Sequence, residues 1–411
     1  MDNLADISDQ QASYYINKLK SFLGPTNIDH ALRHYERLRG TTGPITWQYY
    51  LKSRHPWLGS LRRIAELQNT GKSIRRNLTH GIKQLVADGK RIDVLRHHMT
   101  AATQNKYRRD LLDFDGARSF LFELRIAWHF LLKGYEPRWH DDDSRPHSEF
   151  ILGTPQCDVD VECKTISVDI CRQVHRRDFY QLADALVARV GELGYAGRID
   201  IVLAERLNGH HIDALPLHIA QSIRDGSEKG VYETEGGEFT LNLRKPRSGV
   251  VNLQQEYSEF RESLPEWTHG VMACPDQKGE RDPLKITLKS KQPDRVLNGI
   301  YKKLKRAMSN QLNRSMPGLV ICFLEGVEDL RALAKDSGLQ LATSKLLRKD
   351  ELSHVAGVGY SSEPWMHRHE GYEEYNNQAL YFRNHNCRFI EARDFDYMIG
   401  QGWPYDTSHG H

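Results

Sequence analysis

The residues between Cys157 and Lys164 alternate apolar and charged types, and two of the charged ones, Glu162 and Lys164, could do chemistry together. In a strand, successive side chains point to opposite faces, so residues two apart project side by side from one face. A carboxylate and an ammonium held in this way can bind a divalent cation and a phosphate next to each other. The spacing therefore predicts a metal-assisted reaction at a phosphate group.

The pattern of an acid, any residue and a lysine is weak evidence alone. It recurs at 88–90 and 276–278, in surroundings typical of turns. The copy at Glu162 differs because a strand-like segment, 148–153, precedes it across a short turn. If that turn centres between residues 155 and 156, Glu149 lies directly opposite Glu162, with Cβ atoms about 4.5–5.5 Å apart. Two carboxylates this close repel each other unless a cation lies between them.

The elements around this hairpin also have recognisable periodicity. Apolar residues at helical spacing predict a helix over 117–131, and Glu123 falls within or at the edge of its buried stripe. A carboxylate there is costly unless it is paired. After the hairpin, the sequence predicts a second helix over 179–193 and an apolar strand over 199–204.

A helix, a hairpin, a helix and a strand with acids at these positions resemble the PD-(D/E)XK nuclease superfamily. The residues that carry the resemblance are Glu123 on the first helix, Glu149 at the start of the hairpin, and Glu162, Cys163 and Lys164 on its second strand. The resemblance covers about 111–206. It implies an α/β fold with a restriction-endonuclease-like core, a mixed sheet flanked by helices. It also implies a metal-dependent endonuclease that hydrolyses DNA, in a restriction-like or anti-phage defence role.

In this interpretation Glu149, Glu162 and the backbone carbonyl of Cys163 hold the ion, with Glu123 and Lys164 as further catalytic residues. Carboxylate oxygens without clustered Cys or His favour Mg²⁺ or Mn²⁺. The family usually has Asp, often after Pro, where this chain has Ser148 and Glu149, so Asp160 is kept in reserve as a metal ligand.

Less specific explanations exist for the same residues. Glu123 could pair with Arg125 or a neighbouring helix, and Glu162 and Lys164 could belong to a solvated strand face. The alternative functions are a catalytically silent nuclease-fold subunit that binds nucleic acid or scaffolds a partner, and a ribonuclease that uses the same site.

Length and composition define the context. The chain has 411 residues, enough for two or three domains, and 39% of them are hydrophobic. We predict a basic helical domain over 1–110, the nuclease core over 111–206, and an α/β region over 207–411 that could complete or extend the core sheet. No apolar run could span a bilayer, and six cysteines without paired spacing favour a cytoplasmic protein.

The net charge of +3 is unevenly distributed. Residues 1–110 contain 19 Lys and Arg against 9 Asp and Glu, a net charge of +10. A basic surface beside a nuclease core would neutralise phosphates, so nucleic acid is the expected partner. The resemblance implies that this nucleic acid is DNA. The segment could instead bind a protein or form a homodimer. The residues expected on one basic face are Arg62, Arg63, Arg75, Arg76, Lys83, Arg91 and Arg96. Aromatic residues between the basic segments, Tyr49 among them, could stack on bases or belong to the core.

Overall fold

The structure is a computed structural model of the chain. It describes residues 9–140, 147–167, 169–246, 252–265, 268–273, 282–327, 330, 338–362 and 379–389. The chain has an α/β fold with two mixed sheets, which confirms the predicted fold class at this level. Among the described residues, no helix combines the length and the apolar content that crossing a bilayer requires.

The helices before the first strand are α1 (Asp9–Leu23), α2 (Pro25–Thr41), α3 (Pro44–Thr46), α4 (Leu58–Asn69), α5 (His80–Leu95), α6 (Ala101–Asp110) and α7 (Ala117–Leu132). The later helices are α8 (Arg176–Glu192), α9 (Gly209–Arg224), α10 (Leu253–Glu262), α11 (Val296–Asn310) and α12 (Leu339–Leu347). A π-helical turn, Trp47–Leu51, continues α3. Short 3-10 turns lie at Arg75–Asn77, Arg96–His98 and Asp350–Leu352.

Eleven strands are found in the described residues. They are β1 (Glu136–Trp139), β2 (Phe150–Gly153), β3 (Asp158–Ser167), β4 (Ala196–Leu203), β5 (Lys229–Thr234), β6 (Gly237–Arg244), β7 (His269–Ala273), β8 (Leu284–Ser290), β9 (Gly318–Glu325), β10 (Val355–Ser362) and β11 (Ala379–Arg383).

The first sheet has the order β1-β2-β3-β9-β10-β11. Its first three strands are antiparallel, β3, β9 and β10 run parallel, and β11 is antiparallel to β10. Every residue of β9 and β10 is buried, as expected for strands covered on both faces. Helix α7 packs on this sheet through Phe122, whose ring centre lies 5.6 Å from that of Phe323 in β9.

Helices α4, α5 and α7 share a buried ionic network around Asp88. Arg125 of α7 donates two hydrogen bonds to the Asp88 carboxylate, of 3.2 and 2.9 Å, and Arg91 donates a third of 2.7 Å. The indole Nε1 of Trp57 donates a fourth, of 3.0 Å. Asp88 therefore lies inside α5, not in a turn as its sequence surroundings suggested. The recurrence at 276–278 lies outside the described residues.

Gly89, the next residue, permits close contact between α5 and α1. A Cβ atom at this position would lie 2.6 Å from the backbone carbonyl oxygen of Tyr15. That separation is below van der Waals contact, so any larger residue would push the two helices apart. The glycine that suggested a turn in the sequence therefore serves helix packing.

The second sheet has the order β5-β6-β4-β8-β7. Helices α8 and α9 supply buried residues to its core, among them Phe179, Leu186 and Ile219. Ile45, from the turn that α3 forms, joins the same core. Strands β4 and β8 are parallel, whereas the other neighbouring pairs are antiparallel.

The chain forms two compact units, and they cut across the ranges predicted from the sequence. The first unit comprises the described parts of 1–37, 54–170 and 297–411, and the second those of 38–53 and 171–296. The strand predicted after the nuclease hairpin, now β4, therefore pairs in the second sheet. The strand parallel to β3 in the first sheet is β9, and residues 171–296 of the second unit lie between the two strands in sequence.

The basic residues of the N-terminal helices do not form the single exposed face that was expected. Arg91 is buried against Asp88, Arg62 pairs with Glu36 and Glu66, and Arg96 pairs with Asp93. Nearby carboxylates on the same or adjacent helices thus neutralise part of the excess positive charge.

Candidate active site

The hairpin β2–β3 has the register that the sequence predicted. Phe150 pairs with Val161 and Gly153 with Asp158, so the turn centres between residues 155 and 156. The paired register ends at Phe150 and Val161. The amide of Glu149, the residue before β2, donates a 3.0 Å hydrogen bond to the carbonyl oxygen of the same Val161, so Glu149 adjoins the strand pair one residue out of register.

Lys164 brings the two carboxylates together. Its Nζ atom forms an ion pair with Oε1 of Glu162 and lies 4.0 Å from Oε1 of Glu149. The Glu162 side chain is completely buried, and that of Lys164 is 25% exposed. The charged residues of β3 are therefore not a solvated strand face. Oε2 of Glu162 accepts no hydrogen bond from any described residue.

Glu123 is the third acid of this group, and it is buried like Glu162. The hydroxyl of Tyr107 in α6 donates a 2.7 Å hydrogen bond to Oε2 of Glu123. The indole Nε1 of Trp139 in turn donates a 3.0 Å hydrogen bond to the Tyr107 oxygen. Glu123 is thus oriented by a chain of two buried aromatic side chains. Arg125, considered as its partner in the sequence, binds Asp88 instead.

Burial and the Glu149 carboxylate raise the affinity of the other two acids for protons. Burial and the Glu149 carboxylate raise the pKa of Glu162 to about 8, although Lys164 opposes the shift. Burial and Glu149 likewise raise the pKa of Glu123 well above its ordinary value. Burial lowers the pKa of Lys164, but the carboxylates of Glu162, Glu149 and Glu123 together outweigh it and raise the pKa, so Lys164 carries its charge. We call Glu123, Glu149, Glu162 and Lys164 the acid cluster.

Four basic side chains lie near Glu149. Burial raises its pKa, while Lys164, Lys106, His147 and His140 act to lower it. The His140 and His147 rings lie 4.7 Å apart. Three of these four groups come from α6 and from the segments that flank the undescribed residues 141–146. They were not singled out in the sequence, because only the folded chain brings them to the hairpin.

Asp160, the reserve ligand, has structural partners. Its Oδ1 atom accepts a hydrogen bond from the Ser148 hydroxyl, and its Oδ2 atom accepts one of 2.6 Å from the backbone amide of Asn313. His140 Nε2 lies 3.6 Å from Oδ1. Since both oxygens are engaged in joining the hairpin to the loop after α11, Asp160 is a poor choice for a metal ligand. The serine that departs from the family pattern is one of its partners.

The donor atoms of the acid cluster are of the type that hard divalent cations prefer. It offers carboxylate oxygens, it is buried, and one oxygen of Glu162 has no hydrogen-bond partner among the described residues. No three His, Cys, Asp or Glu side chains in this described part of the chain form a preformed metal cage. Glu149 and Glu162 could hold the ion once Lys164 Nζ moves away from Glu162. The role of the Cys163 carbonyl stays a prediction.

Comparisons of the chain with protein-family models, with curated proteins and with solved structures found no match.

Proposed function

We propose that the chain is a metal-dependent nuclease that hydrolyses phosphodiester bonds of DNA, with a restriction-endonuclease-like core in its first unit. The observation that carries the proposal is the acid cluster itself. Residues from a helix and from a hairpin place two buried carboxylates, a partly buried one and one charged amine together, and the Glu149 carboxylate helps to raise the pKa values of Glu123 and Glu162. Such a surplus of buried negative charge is costly without a cation.

Each residue has a role in this proposal. Glu149 and Glu162 would hold Mg²⁺ or Mn²⁺, which when bound polarises a phosphate oxygen and acidifies a water molecule. Lys164 keeps its proton, so it stabilises the negative charge that develops on the phosphate oxygens. Tyr107 and Trp139 fix Glu123 beside the two ligands. Lys106 and His147 lie near Glu149 and would contact the phosphates on either side of the scissile bond.

The proposal is tested by incubating supercoiled plasmid with the protein in Mg²⁺, in Mn²⁺ and in EDTA. We expect nicking or linearisation only with the metal. Lys164→Ala should lower the rate by about 100-fold or more, as does the loss of one donor to a developing oxyanion. Lys289→Ala, which removes an exposed lysine from β8, is the matched control and should cleave at the wild-type rate. Cleavage by Lys164→Ala at the wild-type rate would contradict the catalytic role of Lys164. Parallel substrates of single-stranded DNA and RNA test the ribonuclease alternative.

A second candidate, a silent nuclease-fold subunit, is favoured by one observation. The ion pair between Lys164 and Glu162 already neutralises one carboxylate, so the cluster could be stable without metal. Calorimetric titration of Mn²⁺ into the wild type and into Glu162→Gln separates the two functions. An active site should bind the ion and lose that binding in the variant, whereas a silent module should give the same weak heats in both.

A further inference from the structure

The second unit carries a stacked pair of tyrosines that the acid cluster does not use. The ring centres of Tyr49 and Tyr180 lie 5.7 Å apart, and the ring planes are inclined by only 24°. Tyr49 is 42% exposed, whereas Tyr180 packs against the core of its unit. The pair therefore has a fixed inner ring and an outer ring that is open to solvent.

Positive charge and a third aromatic ring lie close to this pair. Burial raises the pKa of the Tyr180 hydroxyl, and Arg176 and Arg261 act in the opposite direction, which requires both guanidinium groups to be near it. Tyr257, one turn before Arg261 on α10, is a further electrostatic neighbour. Arg176 begins α8, one turn before Tyr180. Three helical segments thus contribute rings or guanidinium groups to one surface. We call these five residues the tyrosine platform.

The segment that carries Tyr49 is held firmly in place. The carboxylate of Asp184 in α8 accepts hydrogen bonds from the amides of Ile45 and Thr46, of 2.8 and 2.9 Å. Gly43 allows this approach, because a Cβ atom there would collide with the Asp184 carboxylate. The π-helical turn that follows then directs Tyr49 onto Tyr180. Because the ring is ordered before any ligand arrives, little conformational entropy is lost when something stacks on it.

An exposed, pre-ordered aromatic ring flanked by guanidinium groups is the combination that binds unpaired nucleotides. The ring stacks on a base, and the arginines neutralise the neighbouring phosphates. In a duplex the base faces are already stacked on each other, so a duplex cannot use the ring. We infer that the tyrosine platform is a binding surface for single-stranded nucleic acid, through stacking of a base on Tyr49. This inference goes beyond cleavage and does not depend on it.

The test measures binding by fluorescence anisotropy in EDTA, so that cleavage plays no part. The probes are labelled oligothymidylate, labelled oligouridylate and a labelled DNA duplex of the same length. We expect the wild type to bind at least one single strand more tightly than the duplex. Tyr49→Ala should weaken single-strand binding roughly tenfold, within the range measured for loss of one stacking contact. The oligouridylate and oligothymidylate arms tell whether RNA or DNA is preferred, and either preference supports the inference.

Two further variants separate stacking from general effects. Tyr49→Phe keeps the ring and should bind like the wild type. Arg261→Gln should reduce the slope of log affinity against log salt concentration by about one phosphate contact. Tyr14→Ala is the matched control, because Tyr14 is a 50% exposed tyrosine of the other unit, and it should change nothing.

Two results would overturn the inference. One is equal single-strand affinity for the wild type and a folded Tyr49→Ala protein, as judged by circular dichroism. The other is the absence of any binding to single strands, in which case a protein partner would be the alternative ligand of the platform. Neither result bears on the plasmid assay with Lys164→Ala, so failure of this inference is distinguishable from failure of the proposed nuclease activity.

Discussion

Helix α7 carries two buried charged residues, Glu123 and Arg125, that belong to opposite kinds of site. Arg125 reaches the Asp88 network, where one carboxylate receives four hydrogen bonds from two arginines and a tryptophan. Burial favours the neutral form of Asp88, but Arg125 and Arg91 outweigh it and lower the pKa. Glu123 belongs to the acid cluster, where three carboxylates share one lysine and their pKa values rise.

The difference shows how buried charge can serve stability in one place and reactivity in another. In the Asp88 network arginine side chains compensate the negative charge, and hydrogen bonds to both oxygens hold the carboxylate ionised. In the acid cluster the negative charges exceed the positive charge, so protons or a cation are needed to balance them. A site with that imbalance is suited to binding a metal ion, whereas the balanced network is suited to holding helices together.

The largest effect is expected from breaking the balanced network. Asp88→Ala leaves Arg91 and Arg125 buried without their counter-ion, so we expect the free energy of unfolding to fall by about 3–5 kcal/mol. Urea denaturation followed by circular dichroism measures it. Asp93→Ala, on the same helix but in a more exposed ion pair with Arg96, is the control and should cost less than about 1 kcal/mol. Equal losses in the two variants would contradict the distinction.

In the acid cluster we expect a smaller change in the free energy of unfolding, and it should be a gain instead of a loss. The pKa of Glu162 rises from an ordinary 4.5 to about 8 on folding. The folded protein therefore binds more protons than the unfolded chain between these values, and stability falls as the pH rises through this window. Glu162→Gln cannot ionise, so in metal-free buffer it should gain about 2–4 kcal/mol over the wild type between pH 5 and 8, at about 1.36 kcal/mol per pKa unit.

The comparison sharpens when the same pH series is run on Asp88→Asn. The pKa of Asp88 is lowered by folding, so its contribution is present above the unfolded pKa and is lost as the pH falls through the folded value. The loss of stability in Asp88→Asn should therefore become smaller in acid. The gain in stability of Glu162→Gln should also become smaller in acid, because Glu162 is then protonated in both the folded and the unfolded state. Glu66→Gln, on an exposed helix face, should be insensitive. If the stability difference between Glu162→Gln and the wild type did not change with pH, the acid cluster would not have the excess of negative charge that we infer.

The smallest effect should come from Tyr107→Phe, which removes one hydroxyl between Glu123 and Trp139. We expect a loss of about 1 kcal/mol in stability, typical of one hydrogen bond. If Glu123 serves the acid cluster, plasmid cleavage should fall by more than this loss of folded protein explains. Tyr195→Phe removes a similar hydroxyl, bonded to Glu228 on an exposed surface of the second unit, and should leave cleavage unchanged. If Tyr107→Phe cleaved plasmid at the wild-type rate, we would conclude that Glu123 has a structural role and does not serve cleavage.

Local pattern was sufficient to predict the elements closest to the site. The helical spacing around Glu123 gave α7, and alternation together with the position of the turn gave the β2–β3 register. These features depend on neighbours in sequence. The partner of β3 does not, because β9 lies far along the chain and its apolar sequence fits either sheet. The assignment of β4 to the core failed for the same reason.

The local sequence pattern could not predict the surroundings of the site either. Nothing around Tyr107 marks it as the partner of Glu123, beyond the general need of a buried hydroxyl for a hydrogen bond. The burial of Asp88 was hidden because Gly89 resembles a turn residue, while its actual use is contact with another helix. Tyr49 was noted for its type, but its exposure and its stacking on Tyr180 depend on a segment held by Asp184.

The order of the strands has a consequence for the growing polypeptide. Strands β1, β2 and β3 leave the ribosome before residues 171–296 of the second unit, and β9, which completes the pairing of β3, follows only after them. Until then one edge of β3 has no partner from β9, and Glu162 and Lys164 remain in water. Chains stalled after Asn310 should therefore lack the native acid cluster although they contain all four of its residues. The proposed nuclease activity would thus arise only after β9 has been made.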